Sequence, residues 1–279
     1  MMTLLQEDRT EAFSPFPVDR TLNFIVTGQV RCGAAVVQTS ICRHSRAYCH
    51  GDLLHEDESI RRKAHEAYFG PSRDPRALPE WYALKQPEGR SNPERYLTSS
   101  VFDHARYEEA VLGVKVLYPV LQAHDLWEYC EDRYKEGDFC VVHVLRNPIA
   151  CFVSLKQAQQ SGVWQHEVNS PAPCYFPRTV HVDVDELIPF IRHHEASLEK
   201  VRRAIPDALE IEYQDLRYNY AETVNRLFRF LELPWLRNCM SGIHPLKSKS
   251  FYQRIANFKE LRRALPLSMQ RYLEPENLI

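Results

Sequence analysis

The hydrophobic and polar positions of this chain fall into two alternating kinds of segment. Four short apolar runs are nearly continuous: residues 22–27 (LNFIVT), 111–117 (VLGVKVL), 139–145 (FCVVHVL) and 209–213 (LEIEY). A strand with one wet face alternates apolar and polar positions, whereas a strand covered on both faces does not. These runs therefore predict buried parallel strands. Between them the apolar positions shift to a helical period, predicting helices over residues 34–46, 118–135, 149–160, 184–204 and 220–231. The fourth carries Leu187, Ile188, Ile191, Leu198 and Val201 along one face, with Asp183 or Asp185 placed to cap its start. In the fifth, Val224, Leu227, Phe228 and Leu231 form the stripe, and Pro234 stops the element. Strands and helices in alternation predict an α/β fold, a central parallel sheet flanked by helices.

Composition narrows this picture without redirecting it. The 279 residues suit one domain, 1–279, with irregular proline-rich insertions near 70–93 and 161–182. Such long loops serve as substrate walls or as plain surface. A formal charge of -2 argues against a broad nucleic-acid surface but leaves room for a local anion site. The eight cysteines include no C-x-x-C pair, so a zinc site is not expected. Several lie in apolar runs and read as buried free thiols, which implies a reducing, cytoplasmic setting. The N-terminal residues do not have the form of a signal peptide, and no run approaches the ~18 apolar residues of a membrane span.

Two places carry candidate chemistry. The first strand runs into Thr27-Gly28-Gln29-Val30-Arg31-Cys32-Gly33 and then into a helix. A glycine turn between strand and helix directs backbone N–H groups at one spot, the helix start adds partial positive charge, and Arg31 adds a full one. Gly28 and Gly33 have the spacing of a Walker A loop, but Ala34 and Ala35 replace its Lys and Ser/Thr, which argues against magnesium-dependent ATP chemistry. No G-x-G-x-x-G is present either. An ordinary strand-to-helix turn remains the alternative. The second place is Arg146, where the third strand leaves the sheet, with Ser154 two turns into the next helix. A guanidinium and a hydroxyl so spaced suit a phosphate. The alternative is a surface ion pair and an incidental serine.

These segments resemble the sulfotransferase family in its own order along the chain. Residues 27–35 resemble the phosphosulfate loop, T-G-x-P-[RK]-S-G-T-T. Arg146-Asn147-Pro148 with Ser154 resembles the 3′-phosphate motif. Glu212-Tyr213-Gln214-Asp215-Leu216 with Phe230-Leu231 is similar to the Y-E-D-L … F-L segment, and Ile255-Ala256-Asn257 to a late I-x-N motif. Gly113-Val114-Lys115-Val116 and His50-Gly51-Asp52-Leu53-Leu54 are similar to segments of bacterial carbohydrate sulfotransferases of the trehalose type. Cys32, Ala34 and Ala35 depart from the family pattern by removing hydroxyls.

The resemblance implies a P-loop nucleotide-kinase-like sulfotransferase fold. It implies 3′-phosphoadenosine 5′-phosphosulfate as cosubstrate, no metal, and a carbohydrate or small-molecule hydroxyl as acceptor. On that reading Gly28, Arg31, Cys32, Gly33, Ala34, Ala35, Arg146, Ser154, Tyr213 and Asn257 hold the donor, with Arg31 on the sulfuryl oxygens. Lys247, Lys249 and the 257–259 stretch are expected nearby. Asp52 falls where the sugar enzymes place a glutamate and is the first candidate for general base, followed by His50 and His55. His143 reads as a core histidine. Lys115 reads either as a buried lysine paired with a carboxylate or as one that reaches the site. Two other functions compete: a catalytically degenerate binding protein, favoured by Ala34 and Ala35, and a small-molecule kinase.

Overall fold

The protein is described by a computed structural model covering residues 21–55, 91–106, 109–164, 179–236 and 251–274. Five parallel strands form one sheet: β1 (Leu22–Gly28), β2 (Ala47–His50), β3 (Val111–Lys115), β4 (Phe139–Leu145) and β5 (Leu209–Glu212), in the order β2-β3-β1-β4-β5. Parallel neighbours need crossovers, and helices supply them. Between the strands lie α1 (Ala34–Ile41), α2 (Pro93–Tyr96), α3 (Tyr118–Ala123), α4 (Trp127–Lys135), α5 (Pro148–Ser161) and α6 (Val184–Ala204); after β5 come α7 (Tyr213–Tyr218), α8 (Tyr220–Phe230), α9 (Phe258–Ala264) and α10 (Leu267–Gln270).

The apolar runs lack alternation because both sheet faces are covered. Phe24, Val26, Val142 and Val144 pack against α1 and α8, while Ile25, Val114 and Val141 pack against α2, α3 and α4. A third cluster joins α5 and α6 to α9 and α10. Central β1 thus ends between β3 and β4, so the loop after it opens between two carboxyl strand ends, the place where open α/β sheets bind ligands. One glycine keeps this centre tight: a Cβ on Gly113 would lie 2.1 Å from the Phe24 ring, its register partner on β1.

The elements depart from the sequence reading in a few places. β2 is an additional strand of four residues. The first helix stops at Ile41 because His44 turns inward against the Phe228 ring, 5.4 Å away, and the chain turns back into β2. The helix expected over 118–135 is two, broken where Asp125 adopts a left-handed φ of 52° and Leu126 enters the core. β5 ends at Glu212, and Tyr213 opens α7. Asp183, rather than Asp185, caps α6: its side chain accepts the Asp185 N–H at 2.9 Å. Most of the two proline-rich insertions lies outside the described residues. Among the described residues no helix is long and apolar enough to cross a membrane. The described cysteines are free thiols, several with pKa values pushed up to about 11 or 12 by burial.

Candidate active site

The loop after β1 is a tight turn with little freedom. Gly28 (φ 156°) passes so close to Val144 that a Cβ would lie 2.5 Å from its carbonyl oxygen. The Cys32 N–H closes the turn on the Gln29 oxygen at 3.0 Å, and the Gln29 side chain accepts the Val30 N–H at 2.8 Å. Arg31 takes a left-handed φ of 70° and Gly33 one of 107°. Gly33 then starts α1 without any side-chain cap, so the first N–H groups, at Ala34 and Ala35, keep no intrahelical acceptor. Cys32 is buried, so its contribution at the loop surface is backbone.

Arg31, Arg146 and Ser154 converge. The Arg31 Nε donates to Ser154 Oγ at 3.2 Å, and its Nη1 donates to the Trp164 carbonyl. The Arg146 Nη1 donates to the Arg31 carbonyl at 2.7 Å, and its guanidinium lies over the Tyr213 ring, 3.9 Å from the centroid. The residues that set these side chains are local. Asn147 caps α5 by accepting the Ile149 and Ala150 N–H groups, at 2.9 and 3.2 Å, and donates to the Tyr272 carbonyl. Pro148 occupies the first turn, and Ser154 follows on the buried side of α5. Among the described residues no carboxylate pairs with Arg31 or Arg146, and Arg146 Nε is buried without a partner. Burial, and then the neighbouring Arg146 charge, pull the Arg31 guanidinium below its ordinary pKa. Two adjacent guanidiniums, neutral acceptors and no counter-charge make an anion-binding locus.

The other predicted residues divide. Asp52, in the turn after β2, accepts from Lys115 Nζ at 2.7 Å. Lys115 ends β3 opposite Val26, two residues before Gly28 on β1, so this pair also lies at the carboxyl edge. His50 is 1% exposed, with its ring edge-on to Tyr48 at 4.9 Å. The Asn257 amide is turned to the Val182 backbone: it accepts the Val182 N–H at 3.0 Å and donates to the Val182 carbonyl at 2.9 Å. It therefore stitches the segment before α6 to the segment before α9, beside the Val180–Ile255 bridge. Lys259 is exposed on α9, His55 is half-buried, and Lys247 and Lys249 lie outside the described residues. His143 is a core residue, bonded to the Tyr118 hydroxyl. The sequence reading passed over Trp164 because its contact with Arg31 is through a backbone carbonyl, which leaves no trace in residue type.

Comparisons with known proteins bear on the family. A sulfotransferase from Alicyclobacillus acidocaldarius is 13% identical, with a TM-score of 0.43 over 90% of this chain and 98% of its own. The sulfotransferase domain of the Synechococcus PCC 7002 olefin synthase is 15% identical, with a TM-score of 0.41 over 92% of this chain and 96% of its own. No curated protein matches the sequence. The sulfotransferase domain family model matches residues 23–260, from β1 through α9, and the chain belongs to that family.

Proposed function

We propose that this protein transfers the sulfuryl group of 3′-phosphoadenosine 5′-phosphosulfate to a hydroxyl of a carbohydrate or small molecule, without a metal. The observation that carries this reading is the convergence of Arg31, Arg146 and Ser154 at the mouth of the β1 loop with no carboxylate partner among the described residues. A nucleotide with phosphates at both ends supplies the missing negative charge. Arg146, stacked on Tyr213, and Ser154 hold the 3′-phosphate. The loop N–H groups and Arg31 hold the 5′ end. The loss of hydroxyls at Cys32, Ala34 and Ala35 leaves the backbone donors in place. Sulfuryl transfer leaves charge on the 5′-phosphate, and fixed donors aimed there lower the barrier. Asp52, half-exposed at the same sheet edge, is the group placed to take the acceptor proton, whereas His50 is sealed in β2.

The test is calorimetry of 3′,5′-ADP (adenosine 3′,5′-bisphosphate), the sulfate-free product, in buffer containing EDTA. The native chain is expected to bind in the micromolar range. Arg146→Ala, which removes a charged donor pair worth about 1.5–3 kcal/mol per hydrogen bond, is expected to bind at least tenfold more weakly. A folded native chain that binds no 3′,5′-ADP would overturn the reading.

A further inference from the structure

Of the two readings of Lys115 left open by the sequence, the structure shows the buried lysine paired with a carboxylate, and that carboxylate is Asp52. We infer that Lys115 is the positioning residue of the general base, holding Asp52 by Oδ2 so that Oδ1 faces the acceptor hydroxyl. This rests on the proposed sulfuryl transfer.

The argument begins with burial. The Lys115 side chain is 6% exposed, and an ammonium at that depth requires a close counter-charge. Asp52 Oδ2 supplies it at 2.7 Å, while the Asp52 side chain keeps 26% of its surface open. The pair is thus anchored at one end and accessible at the other. Among the described residues, Oδ1 has no hydrogen-bond partner. The backbone around Asp52 is held as well. The Leu53 N–H bonds the Gly51 carbonyl at 2.9 Å and the His55 N–H bonds the Asp52 carbonyl at 3.2 Å, with Leu53 and Leu54 buried directly after it. Only the two side-chain torsions of Asp52 remain to be set, and Lys115 sets them. Lys115 is fixed in turn by the β1–β3 ladder, where the Val116 N–H bonds the Val26 carbonyl at 2.9 Å. The pair is close enough to the loop that the Lys115 charge is felt by the buried Cys32 thiol.

In the step itself, a lone pair of the acceptor oxygen attacks sulfur and its proton passes to Asp52 Oδ1. The bond between sulfur and the bridging oxygen breaks, and its electron pair leaves on the 5′-phosphate of 3′,5′-ADP. Lys115 touches none of these atoms; it acts through Asp52.

The test is a double-mutant cycle on the full chain. Release of 3′,5′-ADP from 3′-phosphoadenosine 5′-phosphosulfate is followed with glycerol as the hydroxyl acceptor and water as background. Lys115→Met is expected to lower kcat about 10- to 100-fold, with the donor KM and the calorimetric affinity for 3′,5′-ADP changed less than threefold. Lys115→Arg is expected to recover part of the loss. In an Asp52→Asn background, Lys115→Met should cost nothing further. Additive losses would mean that Lys115 meets the transferring group directly, and a tenfold drop in 3′,5′-ADP affinity would make it a donor ligand; either overturns the inference. Thermal melting checks that each variant is folded. If the native chain binds 3′,5′-ADP but Lys115→Met turns over like the native chain, this inference alone fails. If the native chain neither binds nor turns over, the proposed function fails with it.

Discussion

At the scale of single residues, the proposed donor site depends on close contacts around one tyrosine ring. The Gly33 backbone lies against the Cδ2–Cε2 edge of the Tyr213 ring, and the Arg146 guanidinium lies over that ring, 3.9 Å from its centroid. A Cβ at position 33 would fall 2.6 Å from Tyr213 Cδ2, and φ of 107° is strained for any residue with a side chain. Gly33→Ala is therefore expected to cost about 1–3 kcal/mol of stability. It should also weaken 3′,5′-ADP binding about tenfold or more, because the displaced ring no longer supports Arg146. Thermal melting and calorimetry read the two effects separately. An alanine variant that melts and binds like the native chain would show that the ring has room to retreat. The same contact requires glycine at position 33, whatever stands at Cys32, Ala34 and Ala35. The Cys32 and Ala34 side chains are buried, whereas the glycine meets the edge of an aromatic ring with no slack.

At the scale of elements, the sequence was legible where burial was two-sided or where caps were side chains. The runs at 22–27 and 139–145 became β1 and β4 because a strand covered on both faces has few polar positions and no alternation. α5 and α6 begin where Asn147 and Asp183 provide oxygens for exposed N–H groups. β2 was missed because four residues, AYCH, are too few to carry a period. The break at Asp125 was missed because both halves keep a helical pattern, and only packing makes Leu126 turn inward. In the site, Arg146 and Ser154 were legible as spacing. The Asp52–Lys115 pairing was not, since 63 residues separate partners that the β2–β3 ladder brings together. The Asn257 amide contacts with Val182 were not legible either: an I-x-N spacing says nothing about which backbone its amide will bond. The Phe24–Gly113 contact is the element-scale feature most open to test. Gly113→Ala is expected to destabilise by about 1–3 kcal/mol through overpacking, read as a lower urea midpoint. Adding Phe24→Leu, which frees the space above β3, should restore part of that loss. If the double variant were only as stable as the sum of two independent losses, the clash would not be the cause.

At the scale of the whole molecule, one network, buried at His143 and Tyr118 and open to solvent at Arg202, joins four elements. His143 of β4 bonds the Tyr118 hydroxyl of α3 through Nε2. Its Nδ1 faces Glu210 of β5 at 3.5 Å, and Glu210 takes both Arg202 contacts from α6, at 2.7 and 3.0 Å. The His193 and His194 rings lie beside Tyr118, at 6.5 and 6.2 Å. Burial holds both His143 and His194 down to about 4, against 6.5 for a free histidine; Glu210 opposes this at His143 and Glu195 at His194, but desolvation is the larger effect at each. The sign follows. In the unfolded chain both rings take up protons below about pH 6.5, while in the fold they stay neutral until about pH 4. Stability from this source is therefore full above pH 6.5 and falls as pH drops toward 4, by about 2 kcal/mol for each ring at pH 5. Between pH 7 and 5 ordinary carboxylates remain largely ionised, so the histidines dominate the slope. Urea unfolding is expected to show a lower midpoint at pH 5 than at pH 7, and His143→Gln should flatten part of that difference. An equal midpoint at both pH values would mean that the rings accept protons inside the fold, with Glu210 and Glu195 supplying enough charge to hold them. Because His143 is the register partner of Thr27, which opens the donor loop, 3′,5′-ADP affinity at pH 5 should fall in step with stability rather than ahead of it.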